Sequence, residues 1–218
     1  MRGASHEVLG EGAMVLRGFL ASRVDAVLDE VDRIATRAPF RHMTTPGGFT
    51  MSAAMTNCGA LGWTSDASGY RYTRTDPRSG EPWPAMPALF ETIAREAASA
   101  AGFEDFVPDA CVVNRYVAEA RMSLHQDKNE RDFTAPIVSL SFGIDAVFLF
   151  GGDKRSDAVT KVRLSHGDVV VWGGPARLRF HGVAPIAHEM HPRTGAARIN
   201  LTFRKAGDAL LLSDFETH

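Results

Sequence analysis

Two stretches in the first half of the chain repeat their apolar positions at helical spacing. Val24, Val27, Leu28, Val31, Ile34 and Ala35 fall on one side of a 3.6-residue repeat. Ser22 and Asp25 stand three apart at its head, in the arrangement of a capping box, and Pro39 stops the run. Leu89, Ile93, Ala94, Ala97 and Ala101 repeat the pattern after Pro84 and Pro87, with Gly102 placed to close the helix in a left-handed turn. Both read as helices laid against a sheet. From Ala110 onward the period shortens. Short β-like runs fall at 111–117, 137–142, 146–150, 160–164, 168–172, 178–183 and 198–204, most of them separated by Gly or Pro turn signals. Regular short strands predict a β-sandwich or barrel, so the expected class is mostly β with α additions. Between the helices, residues 45–83 are rich in turn residues and carry short β-like pieces such as 49–56 and 70–74. A stretch this long and this patterned reads as a functional lid.

The expected organisation of the 218 residues is one domain. Residues 13–109 hold the helices and the lid, 110–207 the β core, and 208–218 a peripheral tail. No internal repeat or low-complexity tract stands out. A 44% hydrophobic content supports a sizeable core, and a net charge of -2 points to no particular partner. The basic side is lopsided, with four Lys against twenty Arg. Arg is the better fork for phosphate and carboxylate, although genome composition also raises Arg content. Cys58 and Cys111 lie far apart without a CxxC, which reads as two buried free thiols in a reducing cytoplasm. No stretch approaches the roughly 20 apolar residues of a membrane span, and residues 1–10 have no signal-like apolar run. The expected location is cytoplasmic, as a monomer without an obligate protein partner.

Chemistry concentrates at His125, Asp127 and His181. Residues two apart on a strand share a face, so His125 and Asp127 can reach one ion, and 56 residues allow several strands to return His181 to it. Two imidazoles and one carboxylate suit Fe(II) and leave positions open for a co-substrate and dioxygen. A zinc hydrolase remains open on the ligands alone, and eight His in the chain make a chance His-x-Asp unsurprising. Downstream, Arg198, Asn200, Thr202 and Arg204 share one face of a run whose other face is Ile199, Leu201 and Phe203. Asn114 and Tyr116 repeat the spacing. A solvated polar face is the plain reading of such a strand. If both polar faces instead converge beside the metal, they form a carboxylate-binding pocket, because Arg pairs with carboxylates through two parallel bonds. A metal triad inside regular short strands makes the jelly roll, a double-stranded β-helix, the natural architecture.

Several segments then carry a resemblance over about 13–207. They are Thr45-Pro-Gly-Gly-Phe-Thr-Met-Ser52, Ala54-Met-Thr-Asn-Cys-Gly59, Leu61-Gly-Trp-Thr64 and Trp83-Pro-Ala-Met-Pro87, then Pro108-Asp-Ala-Cys111, Asn114-Arg-Tyr116, Leu124-His-Gln-Asp-Lys128, the run 166–174 and Asn200-Leu-Thr-Phe-Arg204. In that order they resemble the AlkB family of bacterial alkylation-repair dioxygenases. The resemblance implies a jelly-roll oxygenase that uses Fe(II), 2-oxoglutarate and O2. Its substrates would be N-alkylated nucleobases such as 1-methyladenine and 3-methylcytosine, its products formaldehyde, succinate, CO2 and the restored base. It also implies roles residue by residue. His125, Asp127 and His181 match the iron ligands. Asn114, Arg115 and Tyr116, with Arg198, Asn200 and Arg204, match the co-substrate segments. Trp63 with His125 resembles the pair that sandwiches the base. Tyr70, Arg71, Tyr72 and Arg155 fall where the lid meets the nucleotide.

Two positions depart from the family. Asn129 stands where Asp is usual, which removes a charge facing cationic lesions. Phe49 stands where Tyr is usual in the lid, which removes a polar contact. The implied partner is single-stranded DNA or a base flipped from a duplex, with RNA left open. The alternatives are a 2-oxoglutarate hydroxylase of protein or small molecules, and a non-catalytic jelly-roll binding module.

Overall fold

The computed structural model describes residues 5–207. The expected tail, 208–218, lies outside the described residues. An N-terminal hairpin, β1 (Ser5–Gly10) and β2 (Ala13–Arg17), leads into helix α1 (Val24–Arg37) and then β3 (Arg41–Thr44) and β4 (Thr50–Gly59). A small hairpin, β5 (Gly62–Asp66) with β6 (Gly69–Thr73), precedes helix α2 (Ala88–Ala100). Eight further strands complete the core: β7 (Ala110–Tyr116), β8 (Met122–His125), β9 (Ile137–Gly143), β10 (Ala146–Phe150), β11 (Thr160–Leu164), β12 (Val169–Trp172), β13 (His181–Val183) and β14 (Arg198–Arg204).

Two antiparallel sheets face each other. The larger has the order β1-β2-β12-β9-β14-β7-β4-β3 and the smaller β11-β10-β13-β8. This two-sheet sandwich is the expected jelly-roll core. Alternation along the strands sorts side chains into two sets. Val138, Leu140, Phe142, Ile199, Leu201, Phe203, Val169 and Val171 join the buried faces of both helices in one apolar cluster. The opposite face of the large sheet looks into the sandwich. There Ile137, Val170 and Trp172 meet Phe148, Phe150, Val162 and Leu164 of the small sheet. At one end of that interior the residues turn polar, and the site lies there.

The helices follow the predicted pattern, with one correction. Arg23, not Ser22, precedes the first turn of α1, and no side chain caps it. The capping box read from Ser22 and Asp25 is not formed, and tertiary packing of the apolar stripe holds the helix instead. Gly102 does close α2, at φ +85°, and Phe103 N–H donates to Ala98 O. The run read as 178–183 is a strand only over its last three residues. Five strands went unpredicted: β1, β2, β3, β5 and β8. The longest helix has 14 residues. Among the described residues, none is long and apolar enough to cross a membrane.

Candidate active site

His125 ends β8 and His181 opens β13, and the two are direct partners across that antiparallel pair. The strands approach closely at Gly182, where a Cβ would lie 2.5 Å from Met122 O. Asp127 follows in the loop after β8. The Gln126 amide pins that loop by donating to Leu178 O at 2.6 Å. Together the three residues bring one ligand atom each to within 4.8 Å of one another. His125 Nε2 lies 3.6 Å from Asp127 Oδ1, and His181 Nε2 lies 3.7 Å from Asp127 Oδ2. Each imidazole turns Nδ1 to a backbone carbonyl, His125 to Ser123 O at 2.9 Å and His181 to Arg179 O at 3.0 Å. Donation from Nδ1–H fixes the tautomer and leaves Nε2 a free lone pair. Burial, with His125 alongside, lowers His181 to about 4, so it stays neutral. For Asp127, burial works against the charge. Arg204 and the two imidazoles outweigh it and hold the carboxyl well below the usual range.

The polar face of β14 is not solvated. Arg198, Asn200, Thr202 and Arg204 are exposed by only 2, 6, 5 and 9%. They look into the sandwich, paired across β7 with Tyr116, Asn114, Val112 and Ala110. The two arginines differ in state. Arg204 Nε and Nη2 both donate to Asp127 Oδ2, at 2.9 and 2.7 Å. Among the described residues Arg198 pairs with no carboxylate. Its Nη2 donates to Ser141 Oγ at 3.2 Å and its Nη1 to Ile199 O at 3.5 Å, while its Nε makes no hydrogen bond. Its guanidinium carbon sits 5.8 Å from the centre of the Tyr116 ring. Asn200 donates to Ser139 Oγ at 2.8 Å and accepts from Asn114 at 3.4 Å. Arg115 does not join this group: it is exposed on the opposite face of β7, as strand alternation requires.

These residues line a cavity of about 880 Å³, with Trp63, Tyr70, Asn129 and Arg155 on its lid side. Trp63 of β5 stacks on Tyr70 of β6, centroids 5.6 Å apart and planes 16° off parallel. Its indole Nε1–H donates to Asn129 Oδ1 at 3.3 Å. Two lid residues are engaged elsewhere. Arg71 forks onto Asp66, at 2.9 and 2.7 Å, and is not part of the cavity wall. Tyr72 turns its hydroxyl inward to donate to Glu130 Oε1 at 2.6 Å. Neither residue lines the cavity in this structure.

A model of the 2OG-Fe(II) oxygenase superfamily matches residues 12–204. The chain belongs to the 2OG-Fe(II) oxygenase superfamily. It is 54% identical over 202 residues to the alpha-ketoglutarate-dependent dioxygenase AlkB of Salmonella typhimurium, covering 93% of this chain and 94% of that one. It is 34% identical over 116 residues to the nucleic acid dioxygenase ALKBH1 of Homo sapiens, covering 53% of this chain and 30% of that one. The solved structure of OsALKBH1 superposes with a TM-score of 0.80 at 29% identity, over 92% of this chain and all of that one.

As a 2OG-Fe(II) oxygenase the protein is a dioxygenase with Fe(II) as cofactor and 2-oxoglutarate as co-substrate. Its residues fit both groups. Two imidazoles with a charged carboxylate are the donor set that suits ferrous iron. A buried guanidinium with no directly paired carboxylate among the described residues fits a carboxylate ligand. Sequence reasoning missed two buried charged residues beside the candidate metal ligands. Glu130 is buried and joins Tyr72, Arg177 and Arg204. Arg177 is also buried and donates to Asp127 O at 2.8 Å. Neither belongs to a spaced motif, so only their burial as charged groups marks them. Trp172, given no site role from the sequence, lies 4.9 Å from the His181 ring.

Proposed function

We propose that this dioxygenase oxidatively demethylates N-alkylated nucleobases, 1-methyladenine and 3-methylcytosine among them, in single-stranded DNA or on a base flipped from a duplex. RNA is the second strand type to test. The observation that carries the reading is the composition of the cavity mouth. The Trp63–Tyr70 stack offers an aromatic face. Arg121, Lys128 and Arg155 line the same cavity, and none of the three pairs with a carboxylate among the described residues. Aromatic platforms beside unpaired cations are what single-stranded nucleic acid requires. A relative whose name is nucleic acid dioxygenase supports the same class of substrate.

In this reading His125, Asp127 and His181 hold the iron through the two Nε2 atoms and the carboxylate. Bound iron with 2-oxoglutarate supplies the oxidising chemistry that removes the N-methyl carbon as formaldehyde. The protein's own residues do the rest. Arg198 binds the distal carboxylate of the co-substrate, with Tyr116 beside it and Asn114 and Asn200 lining the way. Arg204 holds the Asp127 carboxylate in place and charged. Trp63 stacks on the target base against His125, and Asn129 meets its edge. Arg155 meets the nucleotide from the lid. A methyl inside a duplex is out of reach, so the base must leave the stack. The two unpaired thiols fit a reducing cytoplasm, and we take the working unit to be a monomer.

The test is anaerobic loading with Fe(II) and 2-oxoglutarate, then oxygen, with formaldehyde and succinate measured. Single strands carrying 1-methyladenine or 3-methylcytosine should yield formaldehyde in step with succinate. A panel of peptides serves as the rival substrate. Succinate stimulated by peptides and not by methylated strands would overturn the proposal.

A further inference from the structure

Phe49 is the most exposed large apolar side chain described, at 77%. It sits on the rim of the active-site cavity, in the turn that joins β3 to β4. That turn is closely tied. Thr45 N–H donates to Phe49 O at 2.8 Å, Gly48 N–H to Thr45 O at 2.9 Å, and Phe49 N–H to Thr45 Oγ1 at 3.1 Å. Gly48 takes φ +84°, which lets the chain double back. Beneath it the strands pair at Thr44 and Thr50. The backbone that carries the ring is therefore tied in place, and among the described residues no apolar cluster covers the ring.

A phenyl ring cannot hydrogen-bond a phosphate or a base edge. It can offer only its face and its apolar area. The other aromatic surface of the rim, the Trp63–Tyr70 stack, faces the same cavity. We propose that Phe49 is a stacking platform for the nucleobase next to the one being repaired, so that the site reads a neighbour as well as the lesion. The substrate is then a short strand, not a lone nucleoside. This inference rests on the nucleic-acid reading above and deepens it. Base stacking on an aromatic side chain is tolerant of sequence, so Phe49 adds affinity for any neighbour and most for purines, whose faces are larger.

The experiment compares the wild type with Phe49→Ala, Phe49→Trp and Phe49→Ser. The substrates are a 1-methyladenine nucleoside and trinucleotides with 2-aminopurine on the 5′ or the 3′ side of the lesion. Loss of one base–aromatic stack corresponds to about a 5- to 150-fold weaker interaction. Phe49→Ala and Phe49→Ser should raise KM for the trinucleotide roughly tenfold relative to their effect on the nucleoside, with kcat little changed. Phe49→Trp should restore the lower KM. In equilibrium binding without turnover, the wild type should quench 2-aminopurine on one side of the lesion, and Phe49→Ala should abolish that quenching. Equal effects on nucleoside and trinucleotide, or quenching that survives Phe49→Ala, overturn the proposal. A wild type that repairs no trinucleotide fails the nucleic-acid reading itself, which is a different result from repair that ignores residue 49.

Discussion

Arg198 and Arg204 are six residues apart on one strand and carry the same group, yet their surroundings give them different work. Arg204 is saturated by Asp127 and reaches toward Glu130. Its effect is to keep a buried carboxylate charged for a metal. Arg198 is more deeply buried still, burial lowers its pKa against the smaller opposing pull of Tyr116 and Asp145, and among the described residues no carboxylate pairs with it. Truncating one partner of a buried charge pair costs about 2–5 kcal/mol. Arg198→Ala should therefore raise KM for 2-oxoglutarate by about 30-fold or more, and Arg198→Lys by less. Initial rates across a 2-oxoglutarate series would show it, and an unchanged KM would remove Arg198 from co-substrate binding. Asn129 also gains a context the sequence did not supply. Its side-chain oxygen accepts from Trp63, on an exposed part of the rim. A carboxylate there would act through water, where a charge pair is worth about 0–1 kcal/mol. Asn129→Asp should raise the ratio of kcat/KM for 3-methylcytosine over neutral 1-methylguanine, by no more than about fivefold. A ratio that does not move means residue 129 does not sense charge.

The elements show which local signals survive folding. Apolar periodicity predicted both helices and most core strands, because burial of a stripe or a face is what holds them. Capping was a weaker guide. Ser22 is exposed and makes no cap bond in α1. Ser22→Ala should accordingly cost less than about 0.5 kcal/mol in chemical denaturation, where a working Ser cap costs about 1 kcal/mol. The small β5–β6 hairpin is tied down through Tyr72, whose hydroxyl reaches the buried Glu130 beneath the metal ligands. Tyr72→Phe removes a donor from a buried carboxylate, at about 1–3 kcal/mol. Its melting temperature should fall by several degrees, and its KM for an oligonucleotide should move less than that of Tyr70→Ala, whose ring is half exposed on the rim. The reverse order would return Tyr72 to the substrate surface.

At the scale of the whole molecule, the sandwich brings two sheets to one point. The His pair comes from the small sheet, and the arginines and asparagines from the large one. Asp127 joins the two through Arg204. A metal bound there ties the sheets together and should stabilise the fold. Saturation at a hundred times Kd adds about 2.7 kcal/mol, or roughly 5–10 °C at this chain length. Anaerobic Fe(II), or Zn(II) as a redox-silent stand-in, should raise the melting temperature by that order, and a chelator should reverse it. Asp127→Asn should lose the shift, and Asp127→Ala should also lose stability through the unpaired Arg204, by about 3–5 kcal/mol. A full shift retained by Asp127→Asn would place the metal elsewhere.

The sequence by itself determined the helices and most strands, because each depends on spacing within a few residues, and it marked the metal and co-substrate candidates through short motifs and their order along the chain. A period of 3.6 or 2 records which side of an element is buried. The same parity already set Arg115 opposite Asn114 and Tyr116, although the Asn-Arg-Tyr segment had drawn it into the co-substrate set. Tertiary structure decided the rest. The buried state of the Arg198 face, the pairing of His125 with His181 at a glycine that lets two strands touch, and the inward turn of Tyr72 onto Glu130 all join residues from 50 to more than 80 positions apart. No local pattern encodes such meetings. They follow from how two sheets stack, which fixes whether a polar face meets water or another sheet. The short strands β3, β5 and β8 were illegible for the same reason. Their alternation is weak, and they exist as strands only because a neighbour supplies the hydrogen bonds.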